Sequence, residues 1–357
     1  MTYDIAIVGA GIAGATLAAA IGDRARVLLL EAEDVAGYHA TGRSAAFWSE
    51  TYGGPGIQPL TGLSGEPLRA GGFLDPLGSL HVGQAQDEAR AEEFLAEFAG
   101  TGVELERVDP RDHLPGIRPG WTIGVMERSC AYIDVAALHA DALARARRAG
   151  ATLVLGAGLT AAERRNGRWH ITTAAGSYDA AVLVDAAGAW ADPVAAIAGA
   201  APLGIQPYRR TLVQLQTDPP ATPDIPHVAH LGGQFYFKPE AGGRLWLSPH
   251  DETPVDPGDV QPEELDVAIA IDRLEHVVDW RVTQVDRKWA GLRSFAPDRL
   301  PIYGFDAAVP GFFWFAGQGG FGIQTAPAAA TIGAALLLGE GPGLDLDVTR
   351  YAPSRFG

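Results

Sequence analysis

The sequence predicts a two-lobed α/β protein, in which a Rossmann-type nucleotide-binding lobe is joined to an α+β lobe built on an antiparallel sheet. Three observations carry this. The run Tyr3-Asp4-Ile5-Ala6-Ile7-Val8-Gly9-Ala10-Gly11-Ile12-Ala13-Gly14, closed by Leu28-Leu29-Leu30-Glu31, reads as a buried strand, a glycine turn, a helix and a second strand ending in a carboxylate. From residue 208 the texture changes to period-two alternation in Thr211-Leu212-Val213-Gln214-Leu215-Gln216, as an antiparallel strand with one exposed face requires. The chain then closes with strand Phe312–Ala316, a glycine loop and an apolar helix over Ala326–Leu338.

After the opening unit comes a glycine-rich connection, Gly37-Tyr38-His39-Ala40-Thr41-Gly42-Arg43-Ser44-Ala45-Ala46. Residues 87–99 form a polar amphipathic helix, and residues 134–149 another, with Val135, Leu138, Ala142 and Leu143 on one face. The Pro-rich stretch 109–119 between them is a loop. Strands follow at 153–155, 169–173 and 181–184, the last running into Asp185-Ala186-Ala187-Gly188-Ala189-Trp190. Residues 234–239 and Arg244–Ser248 flank Glu240-Ala241-Gly242-Gly243, a hairpin signal. The acids near Glu263 open a helix over 262–277. Nucleotide-binding elements thus occur at the start, in the middle and at the end. That divides the chain into a discontinuous nucleotide lobe (1–78, 134–203 and 290–357) and a substrate lobe (79–133 and 204–289).

The 357 residues are 47% hydrophobic and 20% charged, a globular composition. A net charge of −16 argues against nucleic acid, whose phosphates need clustered Lys and Arg, and disfavours anionic membranes. The one cysteine, Cys130, allows neither an internal disulfide nor a multi-cysteine metal site. No basic n-region precedes the first strand, and the longest apolar stretch, 326–338, contains Pro327 and Gly333 and is too short for a bilayer. The expectation is a soluble, cytoplasmic protein. His227 and His230 have metal-like spacing, but on an extended segment they point to opposite faces, so no metal is expected.

In the opening unit Gly9 permits the tight turn, Gly11 lets the backbone approach a pyrophosphate, and Gly14 lets the helix pack closely on the sheet. The helix N-terminus offers N–H groups to phosphates, and Glu31 is placed for ribose hydroxyls. This fingerprint does not separate NAD from FAD. Two further segments favour FAD: the hydroxyls, guanidinium and small residues of Thr41-Gly42-Arg43-Ser44-Ala45-Ala46, and the loop Gly317-Gln318-Gly319-Gly320-Phe321-Gly322-Ile323-Gln324-Thr325 before the last helix. A helix N-terminus there would stabilise negative charge on a reduced isoalloxazine.

The chain resembles the D-amino acid oxidase superfamily of FAD enzymes, and within it the D-arginine dehydrogenase branch. The matching segments are Ile7 to Ala15, Gly37 to Ala46, Asp185 to Trp190, Trp289-Ala290-Gly291-Leu292-Arg293-Ser294-Phe295 and Gln318 to Thr325, in order over nearly the whole chain. The resemblance implies non-covalent FAD, because the region where some relatives attach flavin through cysteine has none here. It adds Ile12, Ala13, Ala32, Leu159, Ala187, Gly188, Trp190, Gly291, Gly320, Gly322, Ile323, Gln324 and Thr325 to the implied cofactor contacts.

Oxidising an amino acid with flavin needs a carboxylate anchor, a neutral amine and a Cα–H aimed at N5. Two arginines are candidate anchors, Arg210 and Arg293, since guanidinium forks match carboxylates. The resemblance places substrate-carboxylate arginines at both positions. Arg209, next to Arg210 on a strand, should face the other way. The resemblance also implies that Tyr52 and Tyr236 cover the substrate, and that Phe47, Ser49, Ser79, His227 and Gly320 belong to its pocket. Departures from the D-arginine pattern stand at three of these: Ser79 replaces a glutamate for the cationic side chain, Phe47 a histidine beside the flavin, and His227 a methionine. The pocket is therefore expected to lack a fixed negative charge and to gain a partial positive one from His227. His250-Asp251-Glu252 is expected to be a solvated loop.

The implied function is FAD-dependent oxidative deamination of neutral or apolar D-amino acids by hydride transfer from Cα to flavin N5. The electron acceptor, oxygen or a quinone-like compound, is left open. Alternatives are oxidation of N-alkyl amino acids of the glycine or sarcosine type or of 2-hydroxy acids with the same anchor, a non-catalytic FAD-fold regulatory protein, and an NAD-dependent dehydrogenase.

Overall fold

The computed structural model describes residues 2–357. Among these, eight strands form one sheet whose centre is parallel: Thr2–Val8 lies between Gly176–Asp185 and Val27–Leu30, followed by Thr152–Val154. Phe312–Ala316 joins parallel to Gly176–Asp185 on the other side. All residues of Val27–Leu30 and Phe312–Ala316 are buried, as expected of parallel strands covered on both faces. One face carries helices Ile12–Ile21, Val135–Arg148 and Ala326–Leu338. On the other, Trp169, Trp314, Phe312 and Val194 pack in a second cluster.

A ten-stranded sheet forms most of the rest of the body, beside a three-stranded one of Phe47–Trp48, Ala131–Ile133 and Leu74–Pro76. Gln206–Asp218 pairs antiparallel with Arg281–Phe295 on one side and Arg244–Ser248 on the other. The ladder continues through Tyr236–Glu240 and His227–His230 to Ser79–Gln84, Trp121–Glu127 and Leu105–Val108. Helix Glu264–Val277 covers one face, burying Val267, Ala270, Leu274 and Val277.

The expected hairpin closes with Glu240 opposite Arg244, and strand Phe312–Ala316 and helix Ala326–Leu338 lie where the sequence places them. Strand Arg281–Phe295 crosses position 290 without a break, so the expected lobe boundary falls inside a strand. It does so because that strand runs unbroken along Gln206–Asp218 and carries on to the cofactor cavity. Helix Gln58–Ala70 was not expected, since it contains Pro59, Gly62, Gly65 and Pro67. No described helix is long and apolar enough to cross a membrane.

Candidate active site

A cavity of about 420 Å³ opens beyond Val8 and Leu30, the C-terminal ends of the first two parallel strands, where open α/β sheets place their ligands. Its floor is Gly9, Gly11, Ile12 and Ala13. Gly9 has φ +102°, and a Cβ there would stand 2.5 Å from the Ala186 carbonyl oxygen. A Cβ on Gly14 would stand 1.9 Å from the Gly9 carbonyl oxygen, so neither position admits a side chain and the helix is drawn against the turn. Glu31 braces this turn, accepting from Ala10 N–H at 3.0 Å and Glu33 N–H at 3.1 Å. Thr41 Oγ1 accepts from Ile12 N–H at 3.0 Å, and His139 Nε2 meets the Ala10 carbonyl at 2.8 Å. A glycine-rich floor at a helix N-terminus, with a carboxylate just after the second strand, fits a dinucleotide.

At the other end the cavity reaches Arg210 and Arg293. In the ladder Arg210 opposes Gly291 and Tyr208 opposes Arg293, so the pleat turns both guanidiniums to one face. Arg209 faces away and is paired with Glu263 and, at 2.9 Å, Asp266 of helix Glu264–Val277. Arg210 donates from Nε to the Asp251 carbonyl at 2.7 Å and from Nη2 to Glu252 at 3.2 Å, while its buried Nη1 has no partner among the described residues. Burial, then the charge of Arg293, lowers the Arg210 pKa. Burial alone would lower that of Arg293 too, but Tyr52, Tyr236, Glu252 and Asp251 outweigh it and raise it. Arg293 Nη1 donates to Tyr52 Oη at 2.5 Å. Gly320 makes room for this pair, because a Cβ there would stand 2.4 Å from Tyr52 Oη.

Behind the arginines, Phe47 gathers Tyr52, Tyr236 and His227, with ring centroids 5.4, 6.0 and 4.2 Å away. The sheet then lines up three polar side chains: His227 opposes Ser79, and Ser79 opposes Glu127. Ser79 Oγ lies 2.9 Å from His227 Nδ1 and 3.4 Å from His81 Nε2. Glu127 is fully buried and accepts from Ser49 Oγ (2.8 Å), Thr51 Oγ1 (2.7 Å) and Glu50 N–H (2.7 Å). Burial would raise its pKa, but the neighbouring His81 imidazole and the hydrogen bonds from Thr51 and Ser49 hold it below the usual range.

A family model described as FAD dependent oxidoreductase (DAO) matches residues 4–336. The chain belongs to this family. The cofactor of this DAO-family oxidoreductase is FAD. The chain is similar to hydrogen cyanide synthase subunit HcnC of Pseudomonas aeruginosa, with 26% identity over 76% of this chain and 64% of that one. It spans less than two thirds of the length of the curated relatives it matches. Among solved structures, glycine oxidase from Geobacillus kaustophilus superposes with a TM-score of 0.85 at 23% identity, covering 99% of both chains. L-proline dehydrogenase from P. horikoshii superposes with a TM-score of 0.87 at 21% identity, covering 99% of this chain and 98% of that one.

In this DAO-family chain the cavity is lined by the expected Glu31, Ala32, Thr41, Arg43, Ser44 and Ala45. Leu159, Ala187, Gly188, Trp190, Gly291, Gly320, Gly322 and Ile323 line it as well. Gly14, Gly42, Ala46, Gln324 and Thr325 lie behind that surface. Gly42 instead closes a turn onto the Gly37 carbonyl (2.8 Å), and Thr325 bonds the Phe321 carbonyl (2.9 Å). Gln324 braces the substrate side, donating to the Tyr52 carbonyl (3.1 Å) and Thr61 (2.8 Å). The expected role of the last helix N-terminus changes too: Ala328 N–H donates to Ser64 Oγ at 3.1 Å, and the cavity receives the preceding loop rather than the first helical turn. The Arg43 guanidinium pairs with Asp259 at 2.6 Å instead of standing free for a pyrophosphate.

Three side-chain expectations are corrected. His227 carries no partial charge, because burial drives its pKa well below that of an ordinary imidazole. The pocket is not free of negative charge nearby, since Glu127 stands opposite Ser79. The His250–Glu252 segment is only partly solvated: Asp251 accepts from Thr211 N–H (2.7 Å) and Oγ1 (3.0 Å), while Glu252, itself exposed, holds Arg210 and Arg299. His250 sits at φ 56° with its pKa pushed down to about 3 by burial and by Arg210 and Arg293. Glu127, His81 and His139 escaped the sequence reading. Only the strand pairing brings the first two to the site.

Proposed function

We propose that this chain oxidises α-amino acids at the Cα–N bond, acting on D enantiomers with neutral side chains and releasing an imino acid that hydrolyses to the 2-oxo acid. The observation that carries this reading is the pair of guanidiniums at the end of the cofactor cavity, Arg210 with an unpartnered Nη1 and Arg293 bonded to Tyr52. Such a pair matches a carboxylate. Bound flavin would supply the two-electron acceptor for the Cα hydride. Arg293 and Arg210 hold the carboxylate, and Tyr52, which receives a hydrogen bond from Arg293, keeps its own proton to donate. Glu252 offsets part of the charge of the two guanidiniums, and the form admitted in this reading is an amine that is already neutral, so no general base is required. His250, neutral at physiological pH, adds nothing to that charge.

Glycine oxidase, L-proline dehydrogenase and L-amino acid deaminase among the similar structures are consistent with an amino-acid substrate. The D assignment rests on the motif resemblance. The electron acceptor is oxygen or a quinone-like compound, and the proposed location is the cytoplasm. The test is anaerobic bleaching of the bound flavin by D- and L-amino acids, N-methylglycine and 2-hydroxy acids, followed by readmission of oxygen. Bleaching by L enantiomers alone overturns the D assignment. Bleaching by none of the amino acids overturns the substrate class.

A further inference from the structure

We propose that His227 is a specificity residue presenting an uncharged Nε2–H donor to the substrate side chain, so that preferred substrates carry a neutral acceptor there, an amide or keto carbonyl. The proposal rests on the amino-acid reading above.

The argument starts at Glu127. An ionised carboxylate only accepts, and its nearest imidazole nitrogen is His81 Nε2, at 3.9 Å. The carboxylate charge favours the His81 tautomer that turns an N–H toward it, with the proton on Nε2, which also lies 3.4 Å from Ser79 Oγ. Ser79 then accepts from His81 and gives its own proton to His227 Nδ1, at 2.9 Å the shortest link of the row. A neutral imidazole accepting at Nδ1 carries its proton on Nε2. Burial foremost keeps the His227 ring neutral.

This Nε2 is buried and has no partner among the described residues. Buried polar atoms are seldom left so, and the ring lies against Phe47 and Tyr236, the same aromatic cluster that Tyr52 joins to Arg293. An aliphatic side chain would leave the N–H unsatisfied. Ammonium and guanidinium groups have only donors to offer it, and a carboxylate would approach the charge of Glu127. A neutral carbonyl meets none of these objections.

Two readouts test this. The first compares binding of 4-oxopentanoate and the near-isosteric 4-methylpentanoate by perturbation of the flavin spectrum. The second compares kcat/KM for asparagine and leucine in the enantiomer that bleaches the flavin. The carbonyl member of each pair should win by about tenfold. The ratio should fall to about one in His227→Leu and drop severalfold in Ser79→Ala, which removes the hydroxyl that sets the tautomer. A wild-type preference for 4-methylpentanoate and leucine, or a ratio that survives His227→Leu, overturns the proposal. If His227→Leu fails to retain flavin, Ser79→Ala decides, and an unchanged ratio there is again negative. Flavin that no amino acid bleaches, with 4-oxopentanoate still favoured, removes the amino-acid reading while leaving His227 as the donor.

Discussion

Tyr52 and Arg293 meet at 2.5 Å although 241 residues separate them, and this bond joins the turn after Ser49 to the end of strand Arg281–Phe295. It fixes the guanidinium before any substrate arrives. An anchor held in advance loses little entropy on binding.

Replacing Arg293 by Met should therefore cost the charge-assisted bonds to the carboxylate, about 1.5–3 kcal/mol each. At about 1.36 kcal/mol per decade, kcat/KM should fall by roughly tenfold to several hundredfold. Flavin content should be retained. Near-normal kinetics on amino acids would remove Arg293 from the anchor.

Gly320→Ala acts on the same pair from the opposite side. Its Cβ would lie 2.4 Å from Tyr52 Oη and 3.2 Å from Arg293 Nη1, so one of them must move. Overpacking of this kind costs about 1–3 kcal/mol. The expected result is a raised KM for amino acids with the yellow colour preserved, read from steady-state kinetics and the visible spectrum.

The cofactor is expected to be one non-covalent FAD per chain. Purified protein should be yellow, and acid precipitation should leave flavin in the supernatant, since Cys130 is buried and offers no attachment point. Gly14→Val should yield colourless protein that does not take up FAD, because the Gly9 carbonyl occupies the space a side chain would need. Flavin remaining in the pellet contradicts the non-covalent assignment.

Glu127 should make the protein acid-sensitive. Its folded-state pKa lies below the usual value of 4.5, so its ionised form contributes stability that is complete above that value and is lost as pH falls through the folded pKa. Glu127→Gln should lower stability by about 1–3 kcal/mol near neutrality. The gap from wild type should narrow as pH falls below 4.5, measured by urea denaturation across the range. A gap independent of pH would mean that packing, not charge, holds this site.

Much of the nucleotide-binding half is legible in the chain because its signals are local. Gly9 needs a positive φ and Leu28 to Leu30 are a continuous apolar run; in the other sheet the Glu240–Gly243 turn likewise sets a hairpin by a local signal. Helix Gln58–Ala70 has no such signal. It is held by tertiary contacts: Leu60 and Leu68 are buried, Gly65 lies against Trp48, and Ser64 meets the first turn of Ala326–Leu338. Arg293 stands in a recognisable segment and Tyr236 on an expected strand, whereas Glu127 is an ordinary acid on an ordinary strand until pairing sets it opposite Ser79. The tie of Arg210 to Asp251 and Glu252 is likewise invisible before folding, since it spans a long excursion of the sheet.

The ladder between Gln206–Asp218 and Arg281–Phe295 keeps step from Gln206 to Gln214, and its two irregularities lie beyond that point. Adjacent side chains on a pleated strand serve opposite tasks here, Arg209 gripping a helix and Arg210 facing the cavity. Losing one residue from the regular stretch would exchange them, turning Arg209 toward the cavity and Arg210 away from it. Length changes during descent are thus expected to accumulate at the far end of this ribbon, near Asp218, while the end beside the cavity keeps its count.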